Sequence, residues 1–242
     1  MRLIKLDATT STNDFLRALA ADGGVENYTV VTAREQTQGK GQMGSKWTSE
    51  AGKNLIMSIL ILNVLQDVEQ IFSLNVAVAL SVAEVLRNNS ISDVTIKWPN
   101  DIMAGKKKVC GILIENIFKG EGAFQSIIGI GLNVNQTAFE DLPHASSLKV
   151  VNGSDFDCES LLWEIVNQLQ VNMGLIPGRA NDLWTAYNQQ LFRAAVPMAF
   201  EDTEGKRFMG IIKAVNRTGL LEVLIEDDTI ATFGIKEIQM LY

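Results

Sequence analysis

Five short stretches of the sequence concentrate residue types that bind anions or read the polar edges of small molecules. They are "STN" at residues 11–13, "QTQGKGQMGSKW" at 36–47, "KWPND" at 97–101, "KVCGILIE" at 108–115 and "GIGLNVN" at 129–135. Lysine supplies a compact positive charge, and asparagine and glutamine supply both donors and acceptors. The single histidine, His144, leaves one candidate base for a Ser-His-Asp or Cys-His relay and excludes multi-histidine metal sites. Any chemistry should therefore rest on lysine, carboxylates, amides and the backbone.

Gly39, Gly41 and Gly44 form a literal G-x-G-x-x-G, the pattern of a dinucleotide-binding turn. In that fold the glycines lead directly into a helix whose N-terminus meets the pyrophosphate. In this chain they are followed by "SKWTSEAGKNLIMSILIL", which continues into a strand pattern. The context therefore argues against a nicotinamide oxidoreductase and leaves a glycine loop that carries Lys40 and Lys46.

The other motifs are ordinary when each is taken alone. In "KWPND", proline ends a strand and projects Asn100 and Asp101 into a turn. Lys108 stands at the mouth of an apolar strand, where a lysine either reaches solvent or meets a phosphate or carboxylate. The two glycines of "GIGLNVN" let a ligand approach the strand, and Asn133 could read a base edge.

The elements that must position these residues follow from the hydrophobic pattern. Strands are predicted at Leu3–Leu6, "YTVVTA", "NLIMSILIL", "VTIKW", "VCGILIENI" and "SIIGIGLNV". Helices are predicted after a cap at Ser11 or Thr12, and at Val68–Arg87, Glu159–Met173 and Asp182–Phe192. From Ala195 onward, short alternating stretches and turn signals predict a small all-β module.

Composition limits the class of protein. With 242 residues, of which 47% are hydrophobic, the chain can bury the core of one medium domain plus a small appendage. A net charge of −7 argues against a protein that mainly binds nucleic acid. The N-terminus shows no signal pattern and the run "NLIMSILILNVL" is too short to span a bilayer, so a cytoplasmic protein with no membrane partner is expected. Cys110 and Cys158 indicate neither a disulfide framework nor a zinc site.

In their order and spacing, the five stretches resemble the biotin protein ligase family over roughly residues 1–240. The resemblance implies an α+β catalytic domain over residues 1–193, with a mixed sheet and flanking helices like those of class II aminoacyl-tRNA synthetases. It implies a small SH3-like β-barrel over residues 194–242. Family members use ATP and Mg²⁺ to activate biotin as biotinyl-5′-AMP, and then transfer the biotinyl group to a lysine of a biotin carboxyl carrier domain. The residues leave open whether the chain is a monomer or a homodimer.

Matching the family's motifs gives each candidate residue an expected role. Lys108, in the family's K-x-x-G-I-L motif, would be the catalytic cation that bridges the biotin carboxylate and the α-phosphate. The implied biotin-binding residues are Ser11, Thr12, Asn13, Gln36, Lys40, Gly41, Gln42, Lys108, Gly111 and Gly129. The implied ATP-binding or adenylate-binding residues are Lys40, Trp47, Asn100, Lys108 and Asn133, and Asp101 would bind Mg²⁺. His144, in "HASSL", is expected in a loop rather than as a catalyst.

The sequence departs from the family pattern in the glycine loop. The family usually reads G-R-G-R-x-G, whereas Lys40 and Gln42 stand at the two arginine positions. Lysine keeps the charge without the two-pronged geometry, and glutamine loses the charge. We therefore expect the reactive adenylate to leave this protein more readily than it leaves an arginine-bearing relative. The chain also begins within a few residues of its first strand, so a ligase without an N-terminal winged-helix repressor domain, and without DNA binding, is expected.

Two alternative functions stay open. A lipoate ligase or octanoyl transferase has the same broad fold, although a different glycine motif is expected there, without "KWPND" followed by K-x-x-G-I-L. A non-catalytic biotin-binding paralogue is favoured by Lys40 and Gln42, whereas Gln36, Lys108 and Asn133 argue against it.

Overall fold

In the described part of the chain, the main sheet has seven strands. The computed structural model describes residues 1–62, 71–119, 123–140 and 142–242. The strands are β1 (Leu3–Thr9), β2 (Val30–Gln36), β3 (Leu55–Leu62), β4 (Val94–Lys97), β5 (Asp101–Ala104), β6 (Lys107–Lys119) and β7 (Ala123–Leu132). Their order is β1-β2-β3-β7-β6-β5-β4. Strands β1 and β2 are parallel and the other neighbours are antiparallel, so the expected mixed sheet is confirmed.

Helices cover both faces of this sheet. They are α1 (Thr12–Ala21), α2 (Ile71–Asn88), α3 (Leu148–Asn152) and α4 (Cys158–Gln189). Leu16 and Ala20 of α1 pack with apolar residues of β2, β3 and β7 on one face. Helices α2 and α4 pack against each other and contribute to the larger core on the other face. Strand β3 lies between these two layers, which is why "LIMSILIL" is apolar on both faces, apart from Ser58, rather than alternating.

Helix α2 is the apolar core helix of the larger layer. Its 18 residues have a mean hydropathy of 1.4, which by length and composition would allow a membrane crossing, but 67% of the helix is buried inside the protein. Packing against the sheet and α4 accounts for that composition. The predicted start at Val68 lies outside the described residues, and the helix ends at Asn88, one residue beyond the predicted end.

The break predicted between two helices near the C-terminus is a kink at Arg179 rather than a loop. One element, α4, runs from Cys158 to Gln189, and Phe192 lies beyond its end. Pro177 stands inside α4, and Arg179 has non-helical φ of −129° and ψ of 28°. Proline removes a backbone donor and crowds the preceding turn, so it bends a helix without having to end it.

The C-terminal residues form a second, five-stranded sheet. Its strands are β8 (Pro197–Asp202), β9 (Arg207–Val215), β10 (Leu221–Ile225), β11 (Ile230–Phe233) and β12 (Ile238–Leu241), in the order β11-β10-β9-β8-β12. All neighbours are antiparallel, and the edge strands β11 and β12 do not pair with each other among the described residues. Its buried side chains, such as Met198 and Phe200, are continuous with the core of the main sheet. The β-rich module is therefore confirmed, but a closed barrel is not.

Some short elements are missing from the sequence-based prediction. They are β5, β8, β12 and α3, each of four to six residues. Because β5 was not predicted, Asp101 was expected in the turn beside Asn100. It is instead the first residue of β5 and pairs with Lys97 across a hairpin. Such short segments carry too little periodicity to be recognised without their partners.

Candidate active site

The predicted site residues converge on one cavity of about 240 Å³. The start of α1, the glycine loop and strands β3, β5, β6 and β7 form its wall. Thirteen of the fourteen predicted residues line it: Ser11, Thr12, Asn13, Gln36, Lys40, Gly41, Gln42, Trp47, Asn100, Asp101, Lys108, Gly111 and Gly129. Motifs that are up to 118 positions apart in sequence, from Ser11 to Gly129, therefore meet in one place.

Asn133 is the predicted residue that does not line this cavity. Its side chain is buried, and its Nδ2 donates to the Ser146 carbonyl at 3.0 Å. Its backbone N–H donates to the Val109 carbonyl at 2.8 Å. Asn133 thus ties the end of β7 to the neighbouring loop, and its role toward adenine stays a prediction.

One wall of the cavity is a chain of polar contacts at the N-terminus of α1. Ser11 caps the helix, with its Oγ accepting from the Asp14 N–H at 3.4 Å. Gln36 Oε1 accepts from the Thr12 N–H at 2.7 Å and from Thr12 Oγ1 at 3.0 Å. Because both contacts use the oxygen of Gln36, its amide nitrogen is left as the donor on this wall.

Ser58 is a site residue that the motifs did not reveal. It is fully buried on β3, and its Oγ lies 2.7 Å from Thr12 Oγ1 and 2.6 Å from Asn13 Oδ1. The available signal was one serine in the apolar run "LIMSILIL". A hydroxyl in such a strand needs a partner, since an unpaired buried polar group is costly.

Glu115 is a second residue that the motifs did not reveal. Its Oε2 accepts from Asn13 Nδ2 at 2.7 Å, and its other oxygen pairs with Arg17. Arg17 also pairs with Asp14 at 3.0 Å, and Lys40 Nζ lies 2.6 Å from the second oxygen of Asp14. The ammonium of Lys40, expected to face a carboxylate or phosphate of the ligand, is therefore held by a carboxylate of α1.

The glycine loop is itself a folded hairpin. We call residues 39–47 the glycine hairpin. The Trp47 N–H donates to the Gly39 carbonyl at 3.0 Å, and the Gly41 N–H donates to the Ser45 carbonyl at 2.7 Å. A Cβ at position 39 would lie 2.3 Å from the Trp47 carbonyl oxygen, so the two arms approach too closely for any other residue. Gly39 thus serves close packing of the hairpin, and Gly44, with φ of 81°, serves its turn, rather than a helix N-terminus.

Lys108 lies on the opposite wall. Its Nζ is 2.6 Å from Asp101 Oδ1 and 5.7 Å from the centre of the Trp47 ring. About a third of the lysine side chain is exposed, and a fifth of the aspartate side chain. Strands β5 and β6 are neighbours, with Asp101 opposite Gly111 and Lys108 opposite Met103, so the ion pair runs diagonally across the two strands. A partly exposed ammonium beside a cavity is available to a second anion.

Trp47 lies flat over two strand glycines. A Cβ at Gly131 would be 2.5 Å from the indole Cε2, and one at Gly111 would be 3.1 Å from Cζ3. The indole N–H of Trp47 is shielded from solvent and donates no hydrogen bond to any described residue. Since buried donors are normally paired, this N–H is free for an acceptor on a ligand.

A second cleft of about 520 Å³ shares Lys108 and Asp101 with the cavity. The C-terminal segment lines its other side, where Lys97 Nζ donates to the Tyr242 hydroxyl at 3.0 Å. His144 lies in a turn, as expected, with its ring 5.5 Å from that of Tyr242. The Lys108–Asp101 pair is therefore reachable from two sides.

Neither thiol chemistry nor a metal site built from several protein ligands is supported by the described residues of this site. Cys110, on β6 beside Lys108, is fully buried, and burial raises the pKa of its thiol, so it stays protonated and packs in the core. Within the described ranges, no group of three or more histidine, cysteine, aspartate or glutamate residues could hold a metal ion.

Comparison with known proteins defines the class. The model of the biotin/lipoate A/B protein ligase family matches residues 6–133, and the chain belongs to this family. A biotin protein ligase from Aquifex aeolicus, solved in complex with biotin and ATP, superposes with a TM-score of 0.80. It is 25% identical, and the match covers 99% of this chain and 98% of that one.

Two relatives identified by sequence similarity are also named as ligases. The bifunctional ligase/repressor BirA of Bacillus spizizenii is 34% identical over 169 residues, 68% of this chain and 51% of the relative. The biotin–[acetyl-CoA-carboxylase] ligase of Mycobacterium tuberculosis is 27% identical over 216 residues, 88% of this chain and 79% of the relative. The matched part of the chain thus spans about half the length of the Bacillus relative.

Proposed function

We propose that the protein is an ATP-dependent biotin protein ligase. It would join biotin to ATP as biotinyl-5′-AMP with release of pyrophosphate, and then pass the biotinyl group to a lysine of a biotin carboxyl carrier domain with release of AMP. The observation that carries the proposal is that Lys108 and the hydrogen-bonded Thr12–Gln36 pair line one small cavity. The family and the similarity to ligases named for biotin support it.

Lys108 would act in the first step. The carboxylate oxygen of biotin must attack the α-phosphorus, so two negatively charged groups have to approach each other. An ammonium between them lowers that repulsion, and the stabilisation that it provides grows as charge builds up in the transition state. Asp101, 2.6 Å away, holds the ammonium at this position before the substrates arrive.

The opposite wall would recognise the ureido ring. That ring has a carbonyl oxygen and two N–H groups and needs fixed donors and acceptors. Thr12, Asn13, Gln36 and Ser58 supply both kinds in one connected set of hydrogen bonds. A set in which each member holds another can present its remaining groups at fixed positions.

The donors present fit Mg²⁺ that arrives with the nucleotide. Mg²⁺ is usually bound by one or two carboxylates together with substrate phosphates. Asp101 offers such a carboxylate beside the cavity, and Asn100 lies next to it. When bound, the ion would neutralise phosphate charge, and Asp101 would be the residue that holds it.

The adenine nucleotide needs more room than the cavity of about 240 Å³ offers beside biotin. The second cleft adjoins the cavity at Lys108 and Asp101 and is about twice as large. We place the nucleotide across this junction, with Trp47 and Lys108 on the side of the reacting atoms.

Finer features of the proposal rest on the family. We propose that the second sheet is an SH3-like domain starting near residue 194, and that the main sheet is the catalytic domain related to class II aminoacyl-tRNA synthetases. A cytoplasmic location and action on a carboxylase belong to the same proposal, and the Mycobacterium tuberculosis relative is named for an acetyl-CoA-carboxylase.

The test is ATP–pyrophosphate exchange measured with biotin and, separately, with lipoate or octanoate. Exchange that depends on biotin supports the proposal. Exchange with lipoate alone would favour the lipoate ligase, and binding of biotin without exchange would favour the non-catalytic paralogue.

A further inference from the structure

The second sheet makes one direct contact with the tip of the glycine hairpin. Lys236 Nζ donates to the Met43 carbonyl at 2.8 Å, although the two residues are 193 positions apart. Met43 is in the short 3-10 turn at the hairpin tip, next to Gln42, which lines the cavity. A cation from the C-terminal sheet is thus bound to the backbone that covers the candidate active site.

Both partners have an unusual backbone conformation. Met43 has φ of 53° and Lys236 has φ of 68°, a left-handed region that residues other than glycine seldom occupy. Such conformations persist where surrounding contacts hold them, and they are common at sites of function. The turn carrying Lys236 is held by Glu237, whose carboxylate accepts from the Gly234 N–H at 2.6 Å.

The sheet that carries Lys236 is itself fixed to the main sheet. Trp98 Nε1 donates to the Gly219 carbonyl at 2.9 Å, and the Phe72 ring fills the space where a Cβ at Gly219 would lie. Lys97 bonds to the Tyr242 hydroxyl at 3.0 Å on the same side. Lys236 therefore acts from an anchored position.

Two polar contacts from outside the hairpin therefore hold it, in addition to the packing of Trp47 on Gly131. Asp14 of α1 pairs with Lys40 in the first arm, and Lys236 bonds to the tip. We propose that Lys236 is a positioning residue that keeps the glycine hairpin closed over the cavity, so that the second sheet sets how long the bound adenylate is retained. The retention part of this inference rests on the proposed function, whereas the positioning part does not.

The positioning part is tested by hydrogen exchange of the hairpin amides in the full-length protein. Lys236→Met removes the ammonium and keeps the length of the side chain. We expect amides in residues 39–47 to exchange about two to ten times faster, as loss of one hydrogen bond would give. Lys236→Arg, which can still donate to the carbonyl, should restore slow exchange. Lys213→Met removes another exposed lysine of the same sheet and should leave the hairpin unchanged.

The retention part is tested by the rate at which pre-formed adenylate leaves the protein. Lys236→Met should speed release several-fold with little change in the rate of adenylate formation. Unchanged hairpin exchange in Lys236→Met would overturn the inference while leaving the ligase assignment intact. Faster hairpin exchange in a protein without biotin-dependent activity would support the positioning role and reject the proposed function.

Discussion

Lys108 Nζ lies 2.6 Å from Asp101 Oδ1, and this ion pair stands where the cavity of the candidate active site meets the second cleft. Replacement of Lys108 by methionine should lower biotin-dependent ATP–pyrophosphate exchange by about 10²–10³-fold, the usual effect of removing one transition-state donor. Lys107→Met is the matched control, because the Lys107 ammonium bonds to the Pro143 carbonyl and does not line the cavity. Exchange in Lys108→Met within tenfold of the native rate would contradict the assigned role.

Gln42 stands where the family usually has arginine, and it lines the cavity. Gln42→Arg should slow release of the adenylate by about tenfold, since a charge-assisted contact to phosphate is stronger than a neutral one. Gln38→Arg is the matched control, because it adds the same charge to an exposed side chain that does not line the cavity, and it should leave the release rate unchanged. Equal release rates for the native protein and Gln42→Arg would contradict the expectation that glutamine at position 42 speeds release of the adenylate.

Gly131 supports the indole of Trp47. A methyl group there would stand 2.5 Å from Cε2, so Gly131→Ala must displace the ring. We expect a loss of about 1–3 kcal/mol in the free energy of unfolding by urea, typical of overpacking, together with lower exchange activity. Gly174→Ala is the control, because its Cβ would meet no atom within 4 Å and helix α4 should gain stability. A fully stable and active Gly131→Ala protein would show that Trp47 is not fixed against β7.

Ser58 links Thr12 and Asn13 on the wall assigned to the ureido ring. Ser58→Ala should raise the KM for biotin and cost about 1–3 kcal/mol of stability, because Asn13 Oδ1 loses a buried partner. Ser126→Ala is the control. It removes another buried hydroxyl, which donates to Asn116 Oδ1 at 2.7 Å and does not line the cavity, so it should lower stability without changing the KM. A similar KM change in both variants would assign Ser58 to the core alone.

Cys158 is the first residue of α4, where a helix N-terminus ordinarily lowers a thiol pKa. Burial, and then the Asp157 carboxylate, instead raise the pKa of Cys158 to about 11. Since the thiolate is the reactive form, its alkylation by iodoacetamide should keep rising about tenfold per pH unit from pH 7 to pH 10, whereas a free cysteine levels off near its pKa of about 8.5. Mass spectrometry of the native protein would detect the difference, and a plateau near pH 8.5 would show that the helix end dominates.

The sequence alone located most of the cavity wall. Lys108, Gln36, Gly111 and Gly129 were predicted because the five stretches, each ordinary alone, together resemble the biotin protein ligase family in order and spacing. The long elements were also predictable, since strand β3 and helices α1 and α2 carry clear apolar patterns. The break predicted between Met173 and Asp182 is a kink at Arg179, because proline at position 177 can bend a helix without ending it.

The tertiary structure alone decided which groups face each other. Ser58 lies outside the five stretches and Glu115 was assigned no role in its stretch, and they join the site because β3 and β6 bring them to the start of α1. The structure also pairs Lys40 with Asp14, 26 positions away in the sequence, and Lys236 with the Met43 carbonyl, 193 positions away. Residue types and local spacing specify which chemistry a segment can do, because they act within a few residues. The partners of each charge and hydrogen-bonding group depend on sheet order and register, which only the folded chain fixes.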